Sequence, residues 1–358
     1  MSLVAAAVAQ RAAALALLVA LGPDAFAPPQ PAPAGPPRAV TRSFAVMGTE
    51  ARFTIWTSNV VGANRAFEDA RAEIQRVERL MTDWDRPAWG PSDVVRVNAG
   101  AGKTAVKVSD ETLAVVEESL EMSRQSEGAF DITFAAMKGL WKFDEDLEPK
   151  VPPPEEIERR RKLINWRDVI VNKKAHTIKL RREGMRIGLG GIAKGYAVDR
   201  CAGVLRAAGF NDFMVQAGGD LFVSGQKGEA NWMVGVRDPR GGPAAIIARM
   251  PIKDHAFSTA GDYERSFVLD GRRYHHIIDP KTGYPATASR EVTIFAPTAF
   301  LADALDDAVF ILGPQKGMAL VEKFPGCAAL IVDAKNQVWT SKSLEGKLQR
   351  TAAPTDGI

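Results

Sequence analysis

Apolar residues at positions 67, 70, 74, 77 and 81 recur at alternating spacings of three and four, which predicts one buried helical face over residues 64–81. A second helix is predicted from Asp110, read as its N-cap, with Leu113, Val116 and Leu120 inward and Gly128 beyond its end. A third opens at Gly190-Gly191, turns Ile192, Tyr196, Cys201 and Leu205 inward, and closes at Gly209. A fourth covers 298–312 and is stopped by Gly313. Between them, shorter apolar or alternating runs predict strands at 44–55, 213–216, 221–224, 232–236, 245–250 and 292–295. Residues 167–180 read as two strands around Asn172-Lys173-Lys174, and the prolines of 149–154 precede a short charged helix. A short helix and a hairpin around 333–336 complete the chain. Helices interspersed with hairpins, without strict βαβ alternation, predict an α+β fold with mostly antiparallel sheets.

One hairpin gathers unusual chemistry. Runs 265–269 and 272–278 flank Asp270-Gly271, a dipeptide suited to the two positive φ angles of a type I′ turn. The reading places Ser258, Thr259 and Gly261 at the outer end of one strand, with His276, Asp279 and Lys281 at the matching end of its partner. Taken alone, this is either a reactive site or a polar hairpin end in solvent.

Composition narrows the class. With 358 residues, 46% of them hydrophobic, the chain can bury a full core. A net charge of +3 from 46 basic and 43 acidic residues, without basic clustering on one face, argues against nucleic acid as a partner. Residues 159–162 are basic but follow Glu155, Glu156 and Glu158, and read as a solvated helix of mixed charge. Residues 1–27 read as a secretory leader: Arg11, an apolar run over 12–21, and the small-x-small pattern Ala25-Phe26-Ala27. That run is too short to span a membrane. Proline-rich residues 28–42 are expected to be a linker, 43–343 the catalytic domain, and 344–358 a C-terminal tail. No Cys follows the leader, so the expected location is the periplasm or the outer side of the inner membrane without a lipid anchor. Cys201 and Cys327 read as free buried thiols, and His176 and His255 as structural or exposed.

Two further groups carry chemistry. Asp303 and Asp307 lie four residues apart on one helix face, with Asp306 one turn from Asp303. Such carboxylates suit a hard cation such as Mg²⁺, or simply form an acidic solvated face. Gly190-Gly191 at a helix start suits a phosphate, with Lys194 one turn in; the plain alternative is a tight turn followed by a surface lysine.

These stretches resemble the FAD:protein FMN transferases, the ApbE family. The resemblance runs through Met47-Gly48-Thr49, Gly128-Ala129-Phe130-Asp131, residues 190–199 with Gly218-Gly219-Asp220, the 258–286 segment with His276-Ile277-Ile278-Asp279-Pro280, and Ala302-Asp303-Ala304-Leu305. It implies one flavin-transferase domain with a T-fold-like core, and transfer of FMN from FAD to a Thr or Ser hydroxyl of an acceptor protein, releasing AMP. A Mg²⁺-dependent FAD diphosphatase, or an exported FAD-binding protein without catalysis, are the alternatives. The resemblance implies Mg²⁺ binding by Asp303, Asp307 and a backbone oxygen of Gly191, with Asp306 alongside. It places Met47, Trp84, Ala129, Phe130, Asp131, Lys194 and Ile278 around FAD. Position 188, Asp in the family and Gly here, belongs to the same set, and Asp307 stands where the family usually has Thr. His276 is the candidate base because imidazole titrates near neutrality, with Asp279 orienting it or taking its place.

Overall fold

The first hairpin of the described chain pairs Arg38–Val46 (β1) with Thr49–Thr57 (β2) through Met47 and Gly48, whose φ angles are 51° and 71°. Two positive φ values give the turn the twist that strands need, so Gly48 is required there. The computed structural model describes residues 35–143 and 148–358, so the expected leader lies outside the described residues. β1 begins inside the segment expected to be a linker, because Val40 is buried and residues 38–42 pair with β2.

The helix Val60–Met81 (α1) follows, capped by the Asn59 side chain, which accepts from Gly62 N. Asp93–Ala99 (α2), Val106–Lys107 (β3) and Asp110–Gln125 (α3) come next. Ser109, not Asp110, caps α3: its hydroxyl accepts from Thr112 N at 3.1 Å. Pro154–Arg161 (α4), Val169–Asn172 (β4), Thr177–Leu180 (β5) and Ala193–Ala207 (α5) lead into Phe213–Ala217 (β6) and Asp220–Ser224 (β7). Then come Trp232–Arg237 (β8), Ile246–Ile252 (β9), His255–Gly261 (β10), Ser266–Leu269 (β11) and Arg272–His275 (β12). Ser289–Ala296 (β13), Ala299–Val321 (α6), Ala328–Asp333 (β14), Val338–Thr340 (β15) and Gln349–Arg350 (β16) finish the chain.

Eight strands form one sheet in the order β1-β2-β6-β7-β10-β13-β14-β15, with every neighbouring pair antiparallel. Its central strands are buried on both faces. Ala256 and Ile294 belong to the core shared with α1, α5 and α6, whereas Phe257 and Phe295 belong to the core under the small sheet β16-β9-β8. That alternation is the period-two rule of a strand, and burial on both faces explains why β14 is buried throughout. The fold is α+β in one domain, Pro37–Ile358. The expected tail is part of it: Leu344 is buried, β16 pairs with β9, and Thr355 Oγ1 donates to Asp238 at 2.6 Å.

Three departures from the expected elements bear on the site. β10 is not the hairpin strand; it lies between β7 and β13, and the chain turns out of the sheet at Asp262 before β11. Asp262 makes that turn by accepting two bonds from Arg240, at 2.6 and 2.8 Å. α5 starts at Ala193 rather than at the glycine pair, because Leu189 O already accepts from the amides of Ile192 and Ala193. α6 is interrupted at Gly313 (φ 72°) and resumes through Pro314 to Val321. The hairpin β11–β12 turns at Asp270 and Gly271, both at positive φ, and its Phe267 and Tyr274 stack in a separate aromatic cluster with Trp141 and Phe143.

Candidate active site

Three buried carboxylates converge where β7 meets α6. Oxygens of Asp220, Asp303 and Asp306 all lie within 4.8 Å of one another. Asp220 opens β7 just after Gly218, whose φ of 59° makes the turn, and Gly219, where a Cβ would sit 2.6 Å from Thr259 O. Asp303 and Asp306 come from successive turns of α6, which is started by Thr298 and by Asp199 accepting from the amides of Ala299 and Phe300.

One lysine faces this charge. Lys194 Nζ donates to Asp220 at 2.5 Å and to Asp303 at 3.2 Å. Burial would lower its pKa, but the three carboxylates outweigh burial and raise it well above the ordinary lysine value. Asp303 also accepts from Gly195 N at 2.8 Å and so caps the first turn of α5 from another helix. That close approach needs glycine at 195, where a Cβ would lie 2.2 Å from Ala299 O. The first turn of α5 is therefore partly occupied by Asp303, and Lys194 points into the acids instead of standing alone over a phosphate.

Negative charge remains in excess. Burial, then the charge of Asp220, pushes Asp303 up to about 7. Burial, then Asp307 and Asp303, raises Asp306 well above the carboxylate range. The Ser258 hydroxyl lies 2.6 Å from Asp220 and 2.5 Å from Asp306. A hydroxyl has one hydrogen, so both contacts are satisfied together only when one of the two carboxylates carries a proton or a cation takes its place. Asp307 faces the glycine turn: a Cβ on Gly191 would sit 2.5 Å from its Oδ2. Burial pushes Asp307 up to about 6. An all-oxygen donor set with excess charge fits a hard divalent cation.

The hairpin end is held by its own bonds. His276 is exposed; its amide donates to Arg265 O at 3.1 Å, and Arg265 Nη2 donates to Gly48 O at 3.1 Å, tying it to the β1–β2 turn. Its ring reaches solvent, but the protein crowded around it, then the charges of His275, Arg265 and Lys194, lower its pKa to about 3 and leave it neutral. Asp279 is committed to its own turn, since its carboxylate accepts from Lys281 N at 2.8 Å and its carbonyl from Gly283 N at 2.8 Å. Ile278 is buried in the aromatic cluster with Trp141.

The remaining predicted residues divide by accessibility. Trp84 is 57% exposed, with Lys138 Nζ over its ring at 4.2 Å, and offers a stacking face. Met47 is half-buried at its turn. Ala129 and Phe130 are buried, and Phe130 lies 3.6 Å from where a Gly191 Cβ would be. The Asp131 carboxylate turns inward, accepting from Thr133 N and Oγ1 and from Trp166 N at 2.6–2.9 Å, so its side chain holds the wall rather than facing a ligand. A Cβ on Gly188 would meet Ala135 Cβ at 3.0 Å and Asp83 Oδ2 at 3.7 Å, and the Asp83 carboxylate pairs with Lys138 Nζ at 2.8 Å.

A sequence model of the ApbE family matches residues 47–331. This chain belongs to the ApbE family. It is similar to the FAD:protein FMN transferase of Treponema pallidum (strain Nichols), 33% identical over 331 residues, 87% of this chain and 89% of that protein. The FAD:protein FMN transferase of Escherichia coli (strain K12) is 29% identical over 281 residues, 75% of this chain and 79% of that one. Among solved structures, the ApbE protein of Thermotoga maritima has a TM-score of 0.78 at 32% identity, covering 86% of this chain and 98% of its own. The flavin transferase ApbE of Vibrio cholerae has a TM-score of 0.77 at 26% identity, covering 87% and 100%. The chain is an enzyme, a transferase.

Within this ApbE-family transferase, sequence reading missed two members of the acid cluster. Asp220 belonged to a recognised Gly-Gly-Asp stretch but carried no role, and Ser258 was set on the wrong strand. The glycine pair directly ahead of an acid, Gly218-Gly219-Asp220, was the available signal for Asp220.

Proposed function

We propose that this chain transfers FMN from FAD to a threonine or serine hydroxyl of an acceptor protein, releases AMP, and requires Mg²⁺. The observation that carries the Mg²⁺ requirement is the excess of buried negative charge: Asp220, Asp303 and Asp306 converge on one lysine, with Asp307 against Gly191. Asp303, Asp306, Asp307 and the Gly191 carbonyl would hold the ion. When bound, Mg²⁺ supplies positive charge against the phosphoryl oxygens of the diphosphate.

The chain's own residues supply the rest. Trp84 offers a face for a ring of FAD, with Met47, Ala129, Phe130, Asp131, Gly188 and Ile278 shaping that side of the site. Lys194 donates to Asp220 and Asp303 and holds both carboxylates in place. The acceptor oxygen attacks the FMN-side phosphorus; a new P–O bond forms, the P–O bond to AMP breaks, and AMP leaves with the bridging oxygen. His276 takes the hydroxyl proton on its neutral imidazole, which the lowered pKa makes a weaker base than an ordinary histidine. Asp279 shapes the turn behind it.

Residues 1–27 carry the reading of an exported protein, working in the periplasm or on the outer side of the inner membrane. No described helix is long and apolar enough to cross a membrane.

Asp303→Asn tests the metal reading while keeping an acceptor for Gly195 N. It should weaken Mg²⁺-dependent turnover by more than roughly 100-fold, beyond what loss of an outer-shell partner causes. Unchanged Mg²⁺ dependence in a folded Asp303→Asn protein would remove α6 from the metal site.

A further inference from the structure

We infer that His275, a buried histidine with no part in the proposed chemistry, is the positioning residue that fixes His276 against the acid-bearing helix. This inference rests on the reading of His276 as the base.

The geometry is a closed loop of bonds. His275 Nε2 lies 2.8 Å from the carbonyl of Ala286, and the Ile277 amide donates to His275 Nδ1 at 3.3 Å. A carbonyl only accepts, so the hydrogen is on Nε2, and an amide only donates, so Nδ1 is bare. One neutral tautomer satisfies both partners. Ala286 N in turn donates to Ile277 O at 2.9 Å, closing the loop. The two residues flanking His276 are thus tied to one point, while the His276 amide is held by Arg265 O on the other side. The His276 backbone has no slack, and its side chain is left exposed.

The same ring sets the distance to the metal side. His275 is 3% exposed and meets Phe310 edge-on, with ring centroids 5.4 Å apart and planes at 74°. Phe310 follows Asp306 and Asp307 by one turn of α6. The segment carrying the base and the helix carrying the acids therefore share one contact. Protonation of His275 would set an N–H against the Ile277 amide. The charged groups around it are Asp262, which favours protonation, and Arg273 and Arg240, which oppose it, with His276 adjacent.

The test uses FAD, Mg²⁺ and a recombinant flavoprotein subunit with a threonine flavinylation site. His275→Phe keeps the contact with Phe310 and removes both hydrogen bonds. It should lower kcat by roughly 100-fold, the scale of a 1 Å misplacement, with KM for FAD within threefold. In a His276→Ala background the same change should cost almost nothing more, since two residues acting as one unit are not additive. Full multiplication of the two losses, or a His275→Phe enzyme with normal kcat, overturns the inference while leaving His276 as base. If His276→Ala itself is fully active, the base reading falls and the positioning role with it. Should His275→Phe not fold, ¹⁵N NMR of histidine-labelled wild type decides: a neutral Nε2–H ring at His275 supports the inference, and an Nδ1–H or cationic ring at neutral pH contradicts it.

Discussion

Gly191 sets the position of Asp307, because a side chain there would meet Asp307 Oδ2 at 2.5 Å. Gly191→Ala should therefore push the Asp307 carboxylate aside and weaken Mg²⁺ binding at least roughly tenfold, read by isothermal titration, with little change in melting temperature. Asp307→Thr retains an oxygen at the same place and should remain active; a dead enzyme would mean that the full charge is needed. His276→Ala should lower turnover by roughly 10²–10⁴-fold and remove the acidic limb of the rate–pH profile, with FAD affinity nearly unchanged. Turnover within a few-fold of wild type would place the base elsewhere. At this scale the helix acids were legible, because spacings of three and four on a helix fix a common face. Asp220 and Ser258 were not, because strands distant in sequence bring them together only through the order β7-β10.

Elements carry the site through close approaches more than through loops. α5 and α6 touch at Gly195, which lets Asp303 reach across to cap α5. Gly195→Ala should force these helices apart and cost about 1–3 kcal/mol by overpacking, seen as a lower urea midpoint at unchanged slope. An unchanged midpoint would mean that the helices separate freely. Most elements could be read from periodicity and turn residues: 64–81 lies within α1, and Asp270-Gly271 forms the turn it suits. β10 escaped because its pattern, Ala-Phe-Ser-Thr-Ala-Gly, is buried on both faces and lacks alternation. The start of α5 was set at the glycine pair, two to three residues early, because glycines open the turn, while Leu189 O fixes where the helix begins.

For the whole molecule, the acid cluster makes stability depend on pH and metal together. Asp303 at about 7 and Asp307 at about 6 sit above the ordinary 3.8. Their contribution is fully present below about pH 4 and is lost as pH rises through 6 to 7, when both ionise in the folded state. The metal-free protein should melt lower at pH 8 than at pH 5, and Mg²⁺ should restore it at pH 8 while doing little at pH 5. A melting temperature indifferent to Mg²⁺ at pH 8 would contradict the cluster as the metal site. The central claim is the transfer itself. Its most direct test is the intact mass of a flavoprotein subunit with a threonine acceptor after incubation with this protein, FAD and Mg²⁺. Transfer gives a gain of one FMN less one water, with one AMP released per modified chain and no gain when Mg²⁺ is chelated. An unmodified subunit beside free FMN and AMP, or beside intact FAD, would contradict it.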